Sequence, residues 1–172
     1  MRVALFFLLL GATAPSAPKA DHPCHPLARA SKWAEAARCY TSALEKNAGD
    51  LEARNGLAAV YAQQSQFKES LAQFELALKV KADDGVALNG KAMMLLALKR
   101  VDEAFVTLEK ALEIDPDNLQ ALSNLALINH ESGHDEIAAP LWKRILEIDP
   151  NDVDALLGLG ALRMEKGDVD GA

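Results

Sequence analysis

His22-Pro-Cys24-His25 sets two imidazoles and a thiol within four residues, donors of the kind that hold copper or zinc. A complete site needs more ligands, and His130 and His134 lie far downstream with no second cluster between. A metal-handling protein built on this segment is therefore one reading of the chain, though its ligand set is only partial. Glu131 and His134 fall three residues apart near an expected helix end, yet nothing nearby supplies a nucleophile. Haem-attachment Cys-x-x-Cys-His, a Gly-rich phosphate loop and His-Glu-x-x-His are all missing from the sequence. These residues make no case for an enzyme or a bound cofactor.

Cys24 has a second possible fate, set by the N-terminus. Arg2 precedes an unbroken apolar run, Val3 to Leu10, and Gly11 to Ala20 is rich in Ala, Pro and Ser, which reads as a secretory signal peptide over residues 1–20. Ser16, Ala17 and Ala20 each offer a small residue for cleavage. The apolar run is too short to span a bilayer comfortably, so the mature chain is expected to be exported and periplasmic without membrane insertion; an uncleaved signal would leave it tethered. Cleavage after Ala20 would remove Arg2 and Lys19 but no acid, making the chain more acidic. In an oxidising compartment Cys24 and Cys39, the only two thiols, are expected to form a disulfide; two free thiols, one buried, is the alternative.

The 172 residues are 50% hydrophobic but only 5% aromatic, a composition suited to close-packed helices. Lys and Arg total 18 against 25 Asp and Glu, a net charge of -7. That balance repels phosphate backbones and anionic headgroups, so nucleic acid is not expected as a partner.

What must position all these residues is a repeat of 34 residues. Ala111–Asn118 (ALEIDPDN) returns almost unchanged as Ile145–Asp152 (ILEIDPND). Small residues recur at that step in three columns: Ala43, Ala77, Ala111 (then Ile145); Ala36, Ser70, Ala104, Ala138, Ala172; and Ala58, Ala92, Ala126, Gly160. Large ones recur as Tyr40, Phe74, Leu108, Trp142 and as Leu44, Leu78, Leu112, Leu146. Pro116 and Pro150 occupy the same place within the two near-copies. Helices cross closely only where the side chains between them are small, so Ala126 and Ala138 are expected to meet where one hairpin closes.

This pattern resembles the tetratricopeptide repeat, two antiparallel helices with small residues at the crossings, a bulky residue in the second helix and a closing proline. The resemblance covers roughly residues 32–172. It departs from the pattern at Ala82, where Pro is usual, and at Lys91, a customary Leu position. It implies an all-α, right-handed superhelical solenoid of about four repeats: an incomplete unit near 17–50, then 51–84, 85–118, 119–152 and a truncated 153–172. Helices are expected near 32–46, 51–64, 67–80, 85–98, 101–114, 118–132, 135–148 and 152–166. Pro140 falls inside one of them, predicting a kink or a displaced start. Pro23 and Pro26 interrupt any long helix before Ala30, so residues 21–31 are expected to form an irregular cap. Gly167–Ala172 aligns with Gly133–Ala138, so the sequence reads as stopping early in a last hairpin, as in a fragment of a longer array.

The resemblance also implies where binding occurs, on a concave face lined by the first helix of each hairpin. Its positions correspond here to Asn55, Ala59 and Ala62; Asn89, Met93 and Leu96; Ser123, Leu127 and His130; and Leu157, Ala161 and Met164. An apolar strip with adaptable methionines suits a helix or extended protein segment, with Asn55 and Asn89 expected to hold its backbone. Core packing is the competing reading of Met93 and Leu96. Glu52, Val86, Gln120 and Asp154 stand where a family member that clamps an acidic tail needs cations. The expected function is a non-enzymatic interaction scaffold of the cell envelope, assisting assembly or regulation of a complex. The alternative from another class is an exported repeat region of a larger, catalytic chain.

Overall fold

The computed structural model describes residues 22–165. Residues 1–20, read above as a signal peptide, Ala172 and the segment from Gly167 lie outside the described residues. Nine helices follow one another: α1 (His25–Arg29), α2 (Trp33–Lys46), α3 (Leu51–Gln63), α4 (Phe67–Val80), α5 (Gly85–Ala97), α6 (Val101–Ile114), α7 (Leu119–Glu131), α8 (Asp135–Ile148) and α9 (Val153–Glu165). The cap is not wholly irregular, because Pro26 sits in the first turn of α1, where a missing N–H costs nothing. α8 starts at Asp135 without displacement and continues through Pro140, leaving the Glu136 carbonyl without its intrahelical donor.

From α3 onward, each first helix begins on a capping side chain at the same repeat position. Asp50, Asp84, Asn118 and Asp152 accept from the backbone N–H of Ala53, Ala87, Ala121 and Ala155 at 2.9, 2.8, 3.0 and 2.8 Å. This satisfies one of the orphan amides at each helix start. The turn inside each hairpin is equally periodic: Ser31, Ser65, Lys99 and Gly133 all have positive φ, 56, 60, 61 and 78°. Only glycine adopts that region without Cβ strain. Lys99→Gly is therefore expected to stabilise the chain by about 0.5–1 kcal/mol, and Gly133→Ala to destabilise it by a similar amount. Urea unfolding of the two variants checks both signs.

Packing explains the small columns. Ala36, Ala58, Ala77, Ala92, Ala104, Ala126 and Ala138 are completely buried and Ala111 nearly so, while Trp142, Leu108, Phe74 and Tyr40 fill the space beside them. Ala126 and Ala138 share one core cluster with Trp142. In the preceding hairpin but one, the Ser70 hydroxyl donates to the Ala58 carbonyl at 2.8 Å, which only a close helix crossing permits. Pro116 and Pro150 are exposed in the loops between hairpins.

A further column governs how hairpins stack. A Cβ added to Gly56 would lie 2.5 Å from the Tyr40 ring, one on Gly90 2.2 Å from Phe74, and one on Gly158 2.4 Å from Trp142. Each aromatic ring of a second helix thus lies flat against the bare backbone of the next hairpin's first helix. Where the ring is replaced by Leu108, the facing position carries Asn124 instead of glycine. α3 also packs on α5 and α5 on α7, whereas consecutive second helices make no comparable contact. The first helices therefore crowd one side of the solenoid, its inner face.

Candidate peptide-binding groove

Along α7 the residues Ala121, Leu122, Asn124, Leu125, Ala126, Ile128 and Asn129 are buried. Gln120, Ser123, Leu127 and His130 remain half-buried and Glu131 exposed, a stripe with the three-and-four spacing of one helix face. The equivalent stripe on α5 holds Val86, Asn89, Met93 and Leu96, and on α3 Glu52, Asn55 and Ala59; Ala62 is buried in the core and does not contribute. On α9, Leu157 and Met164 are 66% and 74% exposed, with Ala161 half-buried.

The floor rises in apolar character from α3 to α9. Ala59 offers little, Met93 and Leu96 are partly accessible but brace the cores on either side of α5, and Leu157 and Met164 stand clear. Part of the apolar strip is thus structural support, as the packing alternative requires. His130 is tethered, its Nδ1 2.7 Å from Asp135 Oδ1 and its ring edge-on to Trp142 at 5.4 Å.

Asn55 and Asn89 each commit one amide N–H to a neighbouring hairpin. Asn55 Nδ2 donates to Asp84 Oδ1 and Asn89 Nδ2 to Asn118 Oδ1, both at 3.0 Å. Their acceptors are the capping residues of the following hairpins, so each asparagine clasps its neighbour. The Oδ1 atoms of both are buried without a partner. The signal for this role was in the sequence: Asp84 and Asn118 share one repeat column, and Asn55 and Asn89 another. The glycine column facing Tyr40, Phe74 and Trp142 was legible by the same stepping.

Charge on this face is one-sided. Glu52, Glu131 and Asp154 are exposed on its margins, and none of the stripe positions on α3, α5, α7 or α9 carries Lys or Arg. Two cations of these helices turn elsewhere, Arg54 reaching Gln73 of α4 and Lys91 pairing with Glu75 of α4 at 3.5 Å, and Arg163 is exposed on α9. On the outer helices, Arg100 donates twice to Glu103, holding its carboxyl below the usual range. Arg144 bridges Glu147 and Asp117 of the preceding loop, and those hydrogen bonds hold its guanidinium proton more firmly than usual. Such exposed pairs add little stability.

At the other end, Cys24 and Cys39 form a disulfide with a Cα–Cα distance of 5.6 Å. The bond consumes the thiolate that the metal reading required, and no group of three His, Cys, Asp or Glu suited to a metal occurs among the described residues. His22 and His25 instead flank Tyr40, with ring centroids 5.2 and 6.0 Å from it. The Cys24 N–H donates to His22 Nδ1 at 3.2 Å, and His22 Nε2 faces the Asp50 cap at 3.7 Å. These imidazoles dock the cap. Glu131 and His134 are both exposed.

Two family models match the sequence, a TPR repeat over residues 93–133 and a tetratricopeptide repeat over residues 27–87. Compared by sequence with curated proteins, the chain has no significant match. Among solved structures it is similar to MamA, at 15% identity over 87% of each chain with a TM-score of 0.76. It is also similar to YrrB, described as a TPR protein with an unusual peptide-binding site, at 22% identity over 86% of this chain and 76% of that one, TM-score 0.68. The first TPR of Spaghetti (RPAP3), bound to the HSP90 peptide SRMEEVD, matches at 22% identity over 64% of this chain and 87% of its own, TM-score 0.62. With its buried alanine columns, its stacked hairpins and both family models in agreement, the chain is a member of the tetratricopeptide repeat family.

Proposed function

We propose that this protein is a non-catalytic scaffold of the cell envelope that takes an apolar protein segment in the inner face of its solenoid. The observation that carries the reading is the accessible stripe on the first helices, from Met93 and Leu96 through Leu127 to Leu157 and Met164. Large side chains 66% and 74% exposed at the same repeat positions, on a face built of parallel helices, are the form expected of a surface that a partner covers. Peptide binding by YrrB and by the RPAP3 domain, similar in fold, supports protein segments as the ligand class. The signal-like N-terminus and the Cys24–Cys39 disulfide support an exported, oxidising location.

Capture from envelope extract tests this. The mature wild-type protein is expected to retain partners that a Leu127→Glu, Leu157→Glu variant loses, both having the same helical circular dichroism. Equal capture by the two would show that the partner sits elsewhere. Leu127 and Leu157 are the better probes because Met93 and Leu96 also support the core.

A further inference from the structure

The groove's charge narrows the partner's chemistry. Glu52 lies at its α3 margin, Glu131 at the C-terminal end of α7 and Asp154 at the start of α9, all exposed. Of the first-helix cations, Lys91 pairs with Glu75 of α4 and Arg54 is held by Gln73 and the Ala48 carbonyl, while His25 faces Glu52 at 3.7 Å and Arg163 is exposed towards the end of α9, away from Asp154 in its first turn. His130, the basic side chain on the stripe, is already held by Asp135. Between these carboxylates lie Leu127 and the well-exposed Leu157 and Met164. An acidic segment would be repelled at the α7 and α9 margins, and a purely apolar one would leave those carboxylates unmatched. Resting on the groove reading above, we infer that the partner is a basic amphipathic segment, its apolar face on Leu127, Leu157 and Met164 and its Lys or Arg residues against Glu131 and Asp154.

The complementarity is of the kind that sets specificity and encounter rate more than final affinity. It also gives the interaction a salt dependence, because exposed charges are screened over a Debye length of about 8 Å at physiological ionic strength. An apolar segment alone would bind almost independently of salt.

Two synthetic helical peptides of identical Leu pattern serve as probes, one with Lys and the other with Glu at every polar position. Fluorescence anisotropy with the mature protein is expected to show the Lys peptide binding at least tenfold more tightly, weakening as salt rises. Because the whole chain is acidic, a cationic peptide needs a positional control. Glu131→Lys with Asp154→Lys is expected to weaken the Lys peptide tenfold or more and strengthen the Glu peptide, whereas Glu109→Lys with Glu136→Lys on the outer helices should do neither. Equal effects from the two pairs, or tighter binding of the Glu peptide, would overturn the inference. Leu157→Ser separates this from the groove reading itself. If it abolishes binding of both peptides while the Glu131 and Asp154 changes alter nothing, the groove stands and the basic partner is wrong. If it alters neither peptide's binding, both are wrong. All five side chains are exposed, so the variants are expected to fold.

Discussion

Gly90→Ala lowers the unfolding free energy by about 1–3 kcal/mol, and Phe74→Leu in the same chain recovers much of the loss. The added Cβ would lie 2.2 Å from Phe74 Cζ, well inside van der Waals contact. Phe74 cannot simply swing away, being 5% exposed and packed with Ala58, Leu71 and Leu95. Alanine's better helix propensity returns at most about 1 kcal/mol, so overpacking wins. Leucine is the natural relief, because Leu108 stands where Asn124 has a side chain. Urea unfolding of both single variants and the double variant gives the coupling. The double is expected to be more stable than the sum of the singles predicts, by about 1 kcal/mol or more. Strict additivity would show that the glycine and the ring do not meet as described.

Cys24→Ala with Cys39→Ala is expected to destabilise the chain by about 3 kcal/mol, the chain-entropy value for a loop of this size. The bond spans 15 residues. Cys24 is 1% exposed and belongs to the cluster of Ala36, Tyr40, Ala53, Leu57 and Val60, so alanine there also loses packing. The loss should be local, because in a stacked array each hairpin contacts chiefly its neighbours. Amide exchange is expected to accelerate strongly in α1 and α2 and little in α7 and α8. Reducing the wild-type protein should reproduce the pattern. Uniform acceleration through all helices would mean that the cap controls global folding.

Much of the architecture was readable because a solenoid repeats its own constraints. Ala58, Ala92 and Ala126 could be identified as crossing points since three copies of one demand appear at one interval. The caps at Asp115–Asn118 and Asp149–Asp152 were legible from local chemistry alone. Asn55 and Asn89 were harder: an amide on an inner face is equally suited to a ligand or to a neighbouring helix, and only the position of Asp84 and Asn118 decides between them. Met93 and Leu96 show the same ambiguity, resolved as partial burial. The short helix α1 was hidden by Pro26, which breaks a helix in its interior but starts one in its first turn. Gly56, Gly90 and Gly158 look like weak points when each helix is read singly. They make sense only when paired with rings sixteen residues earlier.

The asparagine clasps have a mechanical consequence. Asn55 and Asn89 tie consecutive inner helices together at their capping residues, while the outer helix α8 reaches the preceding inter-hairpin loop through the exposed ion pair Arg144–Asp117. At the next step of the seam the residue is Ser123, whose single short hydroxyl replaces the longer amide. Two successive steps of the inner seam are thus closed by an amide clasp, and the third, beside the helix on which Leu157 and Met164 stand most exposed, carries a different side chain.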